Sequence, residues 1–226
     1  MPNRRFRESL TSSESAMLED LLIYQPLLRL HGVDESFYVL RGSLNLYDQT
    51  GAVQAAFPIE MGVPRNFPNS PPVIREVGDL IPKIADRHIN AMDATCCVQL
   101  PIEFHKNRPK TLKEYVKGPL TSYFLAQSYY DRFQKWPNGE RSHGGKGLME
   151  FCQEELGSSD IVLIMKMLSF IGEWRVHPKQ EKCPCGSHRK MAKCHMPLYE
   201  ALQKWSYEVR KSFLEMVAVI SDGSLK

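Results

Sequence analysis

The chain has 226 residues, of which 42% are hydrophobic and 24% charged, a balance that excludes a disordered segment and leaves enough length for one large core or a core with a small appendage. No apolar run approaches the ~20 residues of a membrane-spanning helix, so none is expected. The net charge of +3 is uneven: residues 175–226 hold ten Lys and Arg against five Asp and Glu, giving +5, while residues 1–174 sum to −2.

The start, "MPNRRFRESL", is basic but lacks the apolar stretch of a secretory signal, so the expected location is cytoplasmic. Thiols stay reduced there, and six cysteines then point to metal binding or catalysis more than to disulfides. The basic tail reads either as a solvated helical face or as a docking surface for an acidic protein or nucleic acid.

In chain order, "TSSESAMLEDLL" predicts a helix, with Thr11 and Glu14 at capping-box spacing and Met17, Leu18, Leu21 and Leu22 as its apolar stripe. Pro26 should end or kink it. "FYVLRGSLNLYD" (37–48) and "GAVQAAFPIEMGV" (51–63) read as strands, the second running toward a third. The proline-dense 64–77 predicts an irregular extended stretch before a short strand at 73–77. From Thr111 onward the pattern is helical, with Leu120, Phe124, Leu125 and Tyr129 as apolar positions. Two further helices follow in "GKGLMEFCQEEL" and "SDIVLIMKMLSFIGEW". A long amphipathic helix is expected in the tail, with Leu198, Leu202, Trp205, Val209, Phe213 and Met216 on one face. Helix, antiparallel strands, then helices implies the α+β class.

The strongest local motif is "CPCGSHRKMAKCH" (183–195). Cys183, Cys185, Cys194 and His195 offer three thiolates and an imidazole, a normal set for a tetrahedral structural zinc ion, Zn(2+). Gly186 and Ser187 allow the tight turn. Arg189, Lys190 and Lys193 can offset the thiolate charge. The run resembles the SEC-C zinc knuckle, in which Cys-x-Cys is followed eight residues later by Cys and then Cys or His. That resemblance implies a closed structural site with an adaptor role.

A second feature is "DATCCVQLP" (93–101), with adjacent Cys96 and Cys97. Four readings stand open on the residues alone. The two thiols could be core side chains, a vicinal disulfide, metal ligands (although the flanking His88 and His105 stand at no standard ligand spacing), or the site of a nucleophile.

The order of motifs around this pair resembles a ubiquitin-conjugating enzyme. Phe67-Pro68-Asn69-Ser70-Pro71-Pro72 stands where that family has a "YPxxPP"-like segment. His88-Ile89-Asn90 stands at its His-Pro-Asn motif, and Asp93 to Val98 lies along the turn that carries its active cysteine. The resemblance spans roughly residues 10–135. It implies a UBC-like antiparallel meander flanked by helices, with Cys97 as the thioester-forming nucleophile. Because the His88-to-Cys97 interval is one residue short of the usual, Cys96 stays as the alternative nucleophile. Asn90 is carried over either as donor to the oxyanion or as a support of its turn, and His88 as a buttress of that turn. The missing proline, and Phe104 and His105 where the family commonly has tryptophan, place the resemblance with divergent bacterial members of antiviral conjugation operons. The implied partners are a ubiquitin-like protein, a ubiquitin-activating-like enzyme and a protein target with an acceptor amine.

The expected organisation is thus a UBC-like domain (1–135), a helical extension (136–178), the zinc knuckle (179–197) and a C-terminal amphipathic helix (198–226). "WPNGERSHGGKG" (136–147) reads as a capped loop between helices, or as one bordering the Cys97 cleft. Glu140, Ser142 and His143 in it make no triad by adjacency alone. Cys152, Met149, Met165 and Met167 read as core. The rival reading is a non-catalytic, zinc-bearing adaptor that binds protein or RNA through its basic tail.

Overall fold

A computed structural model describes residues 10–90, 92–137, 139, 142, 144–173 and 177–221. The architecture is α+β, built around a four-stranded antiparallel sheet in the order β1-β2-β3-β4. The chain divides into two compact units, one of residues Met1–Gln99 and Asn107–Glu140, the other of Leu100–Lys106 and Arg141–Lys226. The stretches 136–178, 179–197 and 198–226 therefore fall almost wholly in the second unit, which also takes in 100–106.

In the first unit, α1 (Ser12–Tyr24) begins at Thr11, whose hydroxyl accepts from the Glu14 N–H while the Glu14 carboxylate accepts from the Thr11 N–H. This is the capping box expected from the sequence. The helix stops at Tyr24, two residues before Pro26, with Gln25 as its cap. The strands are β1 (Leu28–Val33), β2 (Phe37–Tyr47), β3 (Val53–Pro64) and β4 (Val73–Glu76). Side chains alternate across a pleated strand, so one face becomes apolar. Tyr38, Leu40, Leu44 and Leu46 of β2 and Phe57, Ile59, Met61 and Val63 of β3 are buried, with Leu40 opposite Met61 and Leu44 opposite Phe57. Residues 53–64 form one continuous strand, not two. The β1 strand is an addition to the sequence reading.

Gly42 has φ 140°, and a Cβ there would lie 2.1 Å from the Leu27 carbonyl oxygen, so the β1–β2 approach requires glycine. Buried Gln25 bridges helix end to sheet: its Nε2 donates to the Asn45 carbonyl and its Oε1 accepts from the Asn45 N–H, both at 2.9 Å.

After the site region, α3 (Leu112–Tyr115) passes through a π turn (Val116–Leu120) into α4 (Thr121–Phe133). Pro119 lacks an N–H, and the wider turn absorbs it, with the Thr121 hydroxyl donating to the Val116 carbonyl at 2.6 Å. α4 rests on β2 and β3, its Phe124 ring 4.6 Å from that of Phe57. Tyr123, Phe124 and Gln127 form its buried face, while Leu125 is exposed.

The second unit is helical. It contains α2 (Pro101–Lys106), α5 (Gly144–Leu156), α6 (Ile161–Gly172), α7 (Met196–Gln203) and α8 (Tyr207–Ser221). Asp160 caps α6 by accepting from the Leu163 N–H. The expected long tail helix is two helices. The Arg210 guanidinium donates to the carbonyls of Leu202 and Gln203 at the end of α7, and the Ser206 hydroxyl accepts from the Val209 N–H to start α8. All six residues of the expected apolar face are nonetheless buried, because Trp205 fills the core at the break. Cys152 and Met167 are fully buried in that core, whereas Met149 and Met165 are 41% and 39% exposed and do not belong to it.

Candidate functional site

The His88–Cys97 stretch folds back on itself as a small hairpin beside β4. Ile89 and Cys96 form an antiparallel bridge, and Arg75 of β4 bridges Thr95. The Cys97 N–H donates to the His88 carbonyl, the Asn90 N–H to the Thr95 carbonyl, and the Cys96 N–H to the Ile74 carbonyl, each at 2.8 Å. The hairpin is thereby stitched both to itself and to the sheet. His88, Asn90, Cys96 and Cys97, separated by up to nine residues in sequence, converge on one short element.

The two cysteines differ. Cys96 is half-buried and Cys97 exposed. Burial pushes the Cys96 thiol up to about 11, against an ordinary 9.0. The Cys97 thiol is also raised, by crowding of the surrounding protein and then by the Asp93 carboxylate. Cys97 is the more exposed of the two sulfurs and so the one open to a reagent from solvent. Both are free thiols, with no vicinal disulfide between them.

Asn90 is exposed, and its side-chain oxygen accepts from the Met92 N–H at 3.1 Å. That bond closes a local side-chain turn. Among the described residues its amide NH₂ makes no hydrogen bond. His88 has φ 51° and ψ 39°, a left-handed conformation at the exit of a 3₁₀ turn (Ala85–Arg87). Its ring meets Trp136 edge-on at 4.7 Å.

The neighbouring polar core was not visible in the sequence. Arg87 is buried, its Nε and Nη2 donating to Gln127 Oε1 at 3.1 and 2.9 Å and its Nη2 pairing with Asp131 at 2.6 Å. Gln127 Nε2 returns a bond to the Arg87 carbonyl at 2.8 Å, and the Tyr123 hydroxyl donates to the His88 carbonyl at 3.2 Å. The only signal was polar residues at helix spacing on an otherwise apolar face.

In the second unit, the ligand atoms of Cys183, Cys185, Cys194 and His195 all lie within 4.8 Å of one another. His195 Nδ1 is 3.3 Å from both the Cys183 and Cys194 sulfurs, and the Cys185 and Cys194 sulfurs are 3.6 Å apart. Tetrahedral ligands at ~2.3 Å (sulfur) and ~2.0 Å (nitrogen) from one ion stand roughly 3.5–3.8 Å apart, so the donor set fits a metal. The knuckle is shaped by Gly186 at φ 88°, by the Cys183 N–H donating to the Arg189 carbonyl, and by a Lys182–Lys190 bridge. Cys183 and Met191 anchor it in the helical core. Burial raises the Cys183 thiol, while the Ser187 hydroxyl lowers that of Cys185. Among the described residues this is the only such grouping, and it includes neither Cys96 nor Cys97.

Ser142 donates its hydroxyl to Glu150 at 2.6 Å and its N–H to the same carboxylate at 3.1 Å, tying the loop to α5. Glu140 and His143 lie outside the described residues. No helix among the described residues is long and apolar enough to cross a membrane. No protein-family model matches the chain, and no curated protein or solved structure does either.

Proposed function

We propose that the first unit is a ubiquitin-conjugating-like acyl carrier with Cys97 as its nucleophile. The observation that carries this reading is the hairpin. It presents one exposed thiol, Cys97, at the edge of an antiparallel meander, with Asn90 and His88 on the same short element. In the proposed reaction the Cys97 thiolate attacks the thioester carbonyl of a ubiquitin-like protein held on an activating enzyme. The C–S bond to Cys97 forms and the activating enzyme's thiolate leaves. An acceptor amine then attacks the same carbonyl, loses its proton to solvent, and expels the Cys97 thiolate to leave an amide. On this reading the Asn90 NH₂ donates to the oxyanion of that second step. Cys96, half-buried and with its thiol pushed up to about 11 by burial, supports the hairpin rather than carrying the acyl group.

The metal of the second unit is zinc on this reading, chosen by three thiolates and one imidazole, and its four ligands leave no position for substrate. Its role is to fold the knuckle. Exposed Lys182, Arg189, Lys190 and Lys193 on that knuckle favour the rival reading, an adaptor that docks an acidic partner. The motif resemblance around Cys97, with Ile89 in place of the family's proline, is what suggests a bacterial conjugation operon as the setting.

The test is a non-reducing gel after incubation with ATP and the activating enzyme and ubiquitin-like protein encoded beside it. The acyl-carrier reading expects a thiol-sensitive adduct, kept in Cys96→Ser and lost in Cys97→Ser. No adduct from a demonstrably charged activating enzyme would leave the adaptor reading standing.

A further inference from the structure

The hairpin that carries Cys97 is gripped from two sides at one peptide, that of His88. From the helix side, the Tyr123 hydroxyl donates to the His88 carbonyl at 3.2 Å. That same carbonyl accepts the Cys97 N–H at 2.8 Å. Four residues on, one helical turn away, Gln127 binds the preceding carbonyl, that of Arg87. From the loop side, the Trp136 ring lies 4.7 Å from the His88 ring and 4.7 Å from that of Tyr130. Tyr130 in turn lies under the Arg87 guanidinium at 4.7 Å. The aromatic and polar contacts close on a residue with φ 51°, a left-handed conformation that L side chains rarely adopt.

We infer that Tyr123 and Trp136 are positioning residues for Cys97: they hold the left-handed His88 peptide whose carbonyl fixes the Cys97 backbone. Neither touches the reacting atoms. Trp136 acts through the His88 ring, and Tyr123 through the His88 carbonyl and the neighbouring Cys96 thiol; small displacements of a reacting group are expensive in rate. The inference also gives the otherwise unassigned "WPNGERSHGGKG" segment a task, through its first residue. It rests on the acyl-carrier reading of Cys97.

The experiment is single-turnover discharge of the preformed thioester to free lysine, followed across lysine concentrations. Tyr123→Phe removes one hydroxyl at constant ring volume, and Trp136→Leu removes the ring contact. Each should charge to the wild-type extent and then discharge about five- to tenfold more slowly at saturating lysine, with the half-saturating concentration unchanged. Trp136→Phe, which keeps an aromatic ring on His88, should restore most of the rate. A purely structural role would do the reverse, lowering the charged fraction while leaving the rate constant of the folded molecules intact. Wild-type discharge rates in both Tyr123→Phe and Trp136→Leu would overturn the inference, as would reduced charging at an unchanged rate. A wild-type protein that never charges would fail at the earlier step and overturn the acyl-carrier reading itself.

Discussion

Replacing Gln127 with leucine removes a hub while nearly conserving volume. Gln127 is fully buried, and its side chain accepts two bonds from the Arg87 guanidinium and donates one to the Arg87 carbonyl. After the change, Arg87 keeps only Asp131, whose side chain is 47% exposed, and the ring of Tyr130. A hydrogen bond to a charged group is worth about 1.5–3 kcal/mol, and an orphaned buried carbonyl costs about 1–3 kcal/mol. Counting the shared acceptor once, the first unit should lose about 3–5 kcal/mol, the range found when one partner of a buried charge is removed. The double variant Arg87→Met/Gln127→Leu removes the charge together with its partner and should recover at least about 2 kcal/mol. Hydrogen exchange of peptides from β2 and β3 reads the loss, with peptides of α5 and α8 as an internal reference. A loss below about 1 kcal/mol in Gln127→Leu, or no recovery in the double variant, would refute the reasoning.

Other outcomes follow from the thiols, the metal and one carboxylate. At pH 8, iodoacetamide should modify Cys97 at least about tenfold faster than Cys96, whose thiol is pushed to about 11 by burial, and Asp93→Asn should accelerate Cys97 further by removing a negative neighbour; peptide mass spectrometry checks both. Elemental analysis should find one zinc per chain, and chelation should expose Cys183, Cys185 and Cys194 to alkylation while leaving Cys152 protected and thioester formation intact. Glu14 is held below its ordinary 4.5 by the Tyr38 hydroxyl and then by the Thr11 N–H, so its stabilising effect is full above about pH 4.5 and lost as the pH falls through the depressed value. Tyr38→Phe should therefore raise the midpoint of acid unfolding, measured by circular dichroism.

What the sequence made legible was local. The capping box at Thr11 and Glu14 needs only four residues, and the two chemical roles of its side chains follow from their spacing. The metal cluster spans thirteen residues around a tight turn, so chain proximity alone brings the donors together. β1 escaped because Pro26 reads as the end of a helix, although Leu28 and Leu30 are buried and Arg29 and His31 exposed, a period of two that marks a strand. α2 escaped because it is only six residues long, with Pro101 at its first position. The tail was misread as one helix because Trp205 sits where an uninterrupted stripe would put it, and only the capping by Ser206 and Arg210 reveals the break. Exposed Met149 and Met165 show that helical spacing does not say which side of a helix is covered. The grip on His88 was illegible for a different reason. Gln127 and Arg87 are forty residues apart, and nothing along the chain pairs a glutamine in a helix with an arginine in a turn.

The central claim is that one sulfur, Cys97, carries the acyl group. Peptide mass spectrometry of the charged wild-type protein, digested without reductant, tests it most directly. The account predicts the C-terminal remnant of the ubiquitin-like protein on Cys97, with Cys96 a free thiol. A remnant on Cys96, or on neither, would contradict it.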